Sequence, residues 1–162
     1  MRDISNTTPL IGLASIGRFD LLRQLFGELI IPKAVFEEVV MSGREEGGAK
    51  GEVSSAGWIK VVSVEDQLAV EVLLDELDRG EAEVIVLARE TNADWVLMDE
   101  KKGRRKITQL GMRKIGTVGI LLKAKEAGLI ESVGGELDQL REKGFSISQY
   151  VVDRVLHQAD EK

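Results

Sequence analysis

Cysteine is absent from this 162-residue chain, which excludes disulfide scaffolds, zinc–thiolate centres and thiol nucleophiles together. A single histidine, His157, leaves too little imidazole for a histidine-based metal site or a serine triad. Aromatic residues make up only 4%. The core must therefore be aliphatic, and an aromatic base-stacking platform is not expected. No apolar run reaches the roughly 18 residues needed to cross a bilayer. No basic stretch followed by an apolar one opens the chain, so no signal peptide is read and the expectation is a cytoplasmic protein with no membrane association. Positive charge is also scarce, with 22 basic against 28 acidic residues and a net charge of −6. A nucleic-acid role must then rest on a local basic patch, or on metal ions that neutralise carboxylates.

What is present describes a folded unit. Apolar residues make up 43% and charged residues 31%, which argues against disorder and fibrous structure. The length is that of one domain, read here as 1–162, and is enough for a core without staples. A short strand over 1–6 leads into Thr7-Thr8-Pro9, which reads as a helix start. A second helix carries Leu21, Leu22, Leu25 and Phe26 and ends at Gly27. Leu29-Ile30-Ile31 is an apolar strand, and Pro32 opens a helix with Val35, Glu38 and Val39 on one side. The polar, glycine-rich stretch 43–57 reads as a mobile surface loop. Residues 58–64 suit an edge strand, with Trp58 and Trp95 placed in strands and in the core. Helices are expected at about 66–78 and 80–91, then a continuous apolar strand at 95–98. Further helices are expected near 100–110, from Thr117, and at about 133–143 and 147–158. Unbroken apolar strands alternating with helices imply an α/β layer fold with a mostly parallel sheet.

The informative residues are acids at particular places. Asp99 follows the apolar strand 95–98, and Asn6 follows the first strand. Ligands of open α/β sheets gather at the carboxyl ends of strands. Glu38 lies on the apolar side of its helix, where a charge needs a reason, and Glu37 points about 100° away. Glu81 heads the stripe Val84, Ile85, Ala88, whereas Glu83 lies about 200° around. Three carboxylates and one amide would thus converge at one sheet edge. Their simplest partner is a hard divalent cation, Mg²⁺ or Mn²⁺. Such a site suits hydrolysis of a phosphodiester. Each residue alone also reads as a cap or turn residue.

At the same residues the chain resembles the PIN-domain nuclease family. ISNTTPLIGL is similar to the first motif of that family, IPKAVFEEVV to the second with Glu38 as its acid, LDRGEAEVIVLARE to the third with Glu81, and WVLMDEKKGRR to the fourth with Asp99. The tail GTVGILLKAKEAGLI followed by GFSIS resembles a prokaryotic PIN-like subgroup related to VapC-type toxins. The resemblance implies a PIN-like three-layer α/β/α sandwich, Mg²⁺- or Mn²⁺-dependent cleavage of RNA, homodimerisation and a cognate antitoxin protein. On this reading Glu38, Glu81 and Asp99 are catalytic and hold the metal, with Asn6 as the fourth ligand where the family has an acid. Thr8 supports the site through its hydroxyl, or caps its helix.

Lys101, Lys102, Arg104, Arg105 and Lys106 form the one dense basic run and begin two residues after Asp99. The run reads as an RNA-binding surface that steers phosphates, or as a solvated helix face. Gly111, Gly116 and Gly119 lack the Lys-Ser/Thr of a phosphate-binding loop and read as turn and packing glycines. His157 reads as a surface residue. The functional expectation is a metal-dependent endoribonuclease, the toxin of a toxin–antitoxin pair. The alternative suggested by Asn6 is a catalytically weak or inactive PIN-like module that binds RNA or a protein, and a third is another small α/β enzyme, such as a phosphatase, using the same acidic edge.

Overall fold

The computed structural model describes residues 2–41 and 49–161. Five strands, β1 (Asp3–Ser5), β2 (Leu29–Pro32), β3 (Ile59–Val62), β4 (Trp95–Leu97) and β5 (Lys114–Ile115), form one sheet. Their order is β3-β2-β1-β4-β5 and every pairing is parallel. Ile4 sits beside Ile30 on one side and Val96 on the other, and Ser5 sits beside Leu97. Helices cover both faces, so the central strands are buried, with Ile4, Leu29, Ile31, Val96 and Leu97 in the core and Asp3 and Ser5 of β1 buried as well. The edge strand β3 exposes Lys60 and Val61.

The helices are α1 (Thr7–Ser15), α2 (Asp20–Phe26), α3 (Lys33–Phe36), α4 (Lys50–Ser55), α5 (Gln67–Leu73), α6 (Arg79–Thr91), α7 (Lys101–Gln109), α8 (Thr117–Glu126), α9 (Val133–Glu142) and α10 (Gln149–Gln158). In one layer α6 packs on β1 and β2 and against α3, α5 and α7. In the other, α8 packs with α1, α2, α9 and α10. The result is the α/β/α sandwich. Helix α6 is buried from Gly80 to Ala88 on every side and ends at Asn92 in the left-handed region (φ 54°), a conformation asparagine tolerates better than most residues.

Several local expectations need revision. The stretch 43–57 is not all loop: its second half forms α4, held by the buried Ala49 and Val53. Residues 43–48 of that expectation lie outside the described residues. Helix α3 continues into a π-helical turn, Glu37–Met41, so the 100° spacing used to place Glu38 does not hold there. Glu38 is exposed, while Val39 is buried. Glu83, about 200° around from Glu81, is buried too, and it accepts the Ala34 N–H at 3.0 Å, tying α6 to the start of α3. Trp58 stands just before β3 and is half-buried, packed beside Phe19. Trp95 is also half-buried, with the Arg113 guanidinium 4.6 Å from its ring centre. Among the described residues, no helix is long and apolar enough to cross a membrane.

Candidate active site

The chain leaves β1 toward β2 on one side and reaches β4 on the other, so the carboxyl ends of β1 and β4 bound the crevice where the strand order reverses. This is where open parallel sheets place ligands. Asn6 is fixed there by its own backbone, whose N–H donates to the Leu97 carbonyl at 3.0 Å. Its side chain is buried. The amide Nδ2 donates to Glu100 Oε1 at 3.1 Å and to Met98 Sδ at 3.3 Å. Oδ1 faces the start of α6. A methyl carbon on Gly80 would stand 3.6 Å from Asn6 Oδ1, 3.4 Å from Glu38 Oε2 and 3.6 Å from Asp78 Oδ1. Glycine at 80 thus keeps open a space onto which three oxygens from three separate segments converge.

Glu81 enters from the first turn of α6. A capping box orients it: Asp78 Oδ1 accepts the Glu81 N–H at 2.8 Å, and Glu81 Oε1 accepts the Asp78 N–H at 2.9 Å. Burial pushes the Glu81 carboxyl above its usual range; the Asp78 N–H opposes that, and the neighbouring Asp78 and Glu38 charges add to it. Glu100 follows the same logic. Burial raises its pKa, the Thr8 hydroxyl bonded at 2.9 Å offsets part of the rise, and the charges of Asp99, Glu81 and Asp78 push it further up. Thr8 therefore serves an acid, and the helix start at Asn6 has no side-chain cap.

Asp99 is turned toward α8. Its Oδ1 accepts the Thr117 N–H at 2.8 Å and its Oδ2 accepts the Thr117 hydroxyl at 2.7 Å. A methyl carbon on Gly116 would come within 2.8 Å of Asp99 Oδ1, so glycine is what allows the carboxylate to approach. Arg104 reaches back from α7 and donates Nη1 to the Met98 carbonyl at 2.8 Å. Of the basic run, Arg104 is half-buried, Lys101, Lys102 and Arg105 are exposed, and Lys106 pairs with Glu76 at 3.4 Å. Asp3, at the opposite end of β1, is buried, and its carboxylate has no side-chain partner among the described residues.

The structure thus gathers Asn6, Glu38 and Asp78 around Gly80, with Glu81 joined to Asp78 through the capping box, and sets Asp99 one residue from Glu100, which bridges toward Asn6. Two participants were not singled out by sequence reasoning, Asp78 and Glu100. Asp78 was readable as the Asp-x-x-Glu start of a capping box. Glu100 was masked by its neighbour Asp99, since spacing along a strand end does not tell which of two adjacent acids turns inward. The set suits a hard cation, since all its donors are carboxylate or amide oxygen. As placed, no three acidic side chains among the described residues stand close enough together to hold a metal ion directly. Mg²⁺ usually keeps several of its waters, so these side chains would hold such an ion largely through water.

Residues 3–161 match the model of the DUF3368 family, a PIN domain. The chain belongs to the PIN-domain family and has its nuclease-type fold. No curated protein matches it in sequence.

Proposed function

We propose that this protein is a metal-dependent endoribonuclease that hydrolyses RNA phosphodiesters with Mg²⁺ or Mn²⁺. The observation that carries the reading is the meeting of Asn6, Glu38 and the Asp78–Glu81 box at Gly80, beside the end of β4. Asn6, Glu38, Glu81 and Asp99 would hold the ion, with Glu100 next to them. Bound there, a divalent ion supplies a water of lowered pKa and stabilises charge on the phosphate. Thr8 keeps Glu100 oriented toward Asn6. Arg104, anchored on the Met98 carbonyl, presents its remaining N–H groups to a phosphate, and Lys101, Lys102 and Arg105 add attraction along the strand. Control by an antitoxin protein and action as a homodimer belong to the same proposal by family resemblance.

Two observations favour a second reading, a weak or inactive module that binds RNA. Asn6 brings no charge, and both oxygens of Asp99 are engaged by Thr117. The deciding experiment incubates the purified chain with labelled RNA in Mn²⁺, in Mg²⁺ and in chelator. Cleavage that needs the metal is expected, with a loss in Glu38→Ala and Asp99→Ala of at least about 10–100-fold, the scale found even for outer-sphere partners of a metal. RNA bound but left intact under all conditions would select the second reading.

A further inference from the structure

Beside the carboxylates lies a cavity of about 610 Å³ that shares Thr8, Asp99, Lys101 and Arg104 with the site and extends beyond it. Its size falls within the roughly 300–1,000 Å³ of ligand sites. It opens at Thr8 and Asp99 and runs under the segment 145–148 that joins α9 to α10. Its lining carries two kinds of side chain. Lys101, Arg104 and Lys114 are among them, and none has an acidic partner within 4.0 Å among the described residues. The one acid on that wall is Asp99, whose oxygens are both taken by Thr117. The same lining has an apolar part, formed by Phe145, Ile147 and Val151. The Phe145 ring is seated by two small neighbours: its Cε1 and Cζ lie 3.4 and 3.5 Å from where a methyl carbon on Gly12 would sit, and the Thr117 methyl flanks the same point at 3.6 Å. Ser146, on the same lining, is exposed and makes no side-chain hydrogen bond among the described residues.

We infer that this cavity is a nucleotide subsite for the RNA residue adjoining the cleaved phosphate, with a phosphate on Lys101, Arg104 and Lys114 and the base on Phe145 and Val151. A phosphate demands cations, and a base demands a flat apolar wall with a polar group at its edge. The cavity offers both. A chain with 4% aromatics builds no platform of several rings, and one ring suffices for one base. The identity of the ligand as RNA rests on the ribonuclease reading, but the subsite itself is read out without cleavage.

The test titrates the full chain with a fluorescent hexaribonucleotide in chelator, which withholds the divalent ion that cleavage needs. Phe145→Leu and Val151→Glu should each weaken binding about tenfold, the scale of losing one stacked base. Val61→Glu adds the same charge on β3, the strand at the far edge of the sheet from β5, and should leave affinity unchanged. Melting curves check that each variant is folded. Unchanged affinity in folded Phe145→Leu and Val151→Glu overturns the subsite, whether or not the parent cleaves RNA. If the parent never cleaves yet both variants bind weakly, the ribonuclease reading falls and the subsite stands. Uridine monophosphate binding as tightly as the hexamer would overturn the assignment to an RNA chain in favour of a free nucleotide.

Discussion

The amide of Asn6 does what a carboxylate at that position could not: it donates to Glu100 at 3.1 Å while turning its oxygen toward Glu38 and Asp78. Asn6→Asp replaces that donor with a second charge against an already destabilised carboxylate. In chelator the variant should lose roughly 1–3 kcal/mol of stability, the cost of a buried polar contact turned repulsive. With Mn²⁺ the sign reverses, because a fourth carboxylate strengthens cation binding and binding to the folded state alone raises stability by mass action. Melting temperatures in chelator and in a Mn²⁺ series check this. Equal Mn²⁺ shifts in parent and variant would remove Asn6 from the metal site. Much of this neighbourhood was legible in the sequence, because strand ends and helix faces can be read from apolar runs. The orientation of Asp99 was not, since it depends on a hydroxyl and an N–H at Thr117, 18 residues away. Nor was the exposure of Glu38, which follows from the π-helical turn at 37–41.

At the scale of elements, the packing of the C-terminal helices depends on one carboxylate. Glu161 accepts from the Val133 N–H at 2.8 Å and the Gly134 N–H at 3.0 Å, so it satisfies the otherwise unpaired start of α9, and it pairs with Lys125 of α8 at 2.7 Å. Desolvation opposes its charge, but these donors outweigh it and hold the pKa down at about 2. A pKa lowered in the folded state contributes stability that is complete above the unfolded value and is lost as pH falls through the folded one. Glu161→Gln should therefore cost roughly 2–3 kcal/mol at pH 7, and the gap to the parent should close as pH drops from about 4.5 toward 2. Urea unfolding at several pH values measures it; a gap independent of pH would assign the contribution to packing instead of charge. The helices at 133–142 and 149–158 were readable from their amphipathic spacing and their serine caps. Strand β5 was not, because two residues, Lys114 and Ile115, carry no periodicity. Helix α4 was hidden by the polar, glycine-rich composition around it, and the burial of Ala49 and Val53 against the rest of the fold helps to hold it in place.

For the whole molecule the question is how a chain of net charge −6 would attract RNA, as the proposed function requires. The described structure answers by separation at short range: the acids meet at Gly80, while Lys101 and Arg104 line the adjoining cavity. Screening limits each charge to about 10 Å at 0.1 M salt, so an RNA strand at that rim responds to the local cations more than to the total. Not all of the basic run is equivalent. Lys101 and Arg104 line the cavity, and Arg104 is held by the Met98 carbonyl. Lys102 lies about 100° from Lys101 around α7 and outside that lining, and Lys106 is paired with Glu76. Lys101→Ala and Arg104→Ala should therefore each lower the slope of log affinity against log salt by about 0.7, the value for one lost phosphate contact on a single strand. From 50 to 200 mM salt that removes roughly 2.5-fold of salt sensitivity per residue. Arg105→Ala, one position from Arg104, should show a smaller effect, and Lys60→Ala, whose lysine pairs with Glu28 on β3's edge, should show none. Binding of the same hexamer in chelator, measured across that salt range, decides the matter. Identical slopes in all four variants and the parent would reduce the run 101–106 to a solvated helix face, and RNA would then have to be held by the metal-neutralised carboxylates alone.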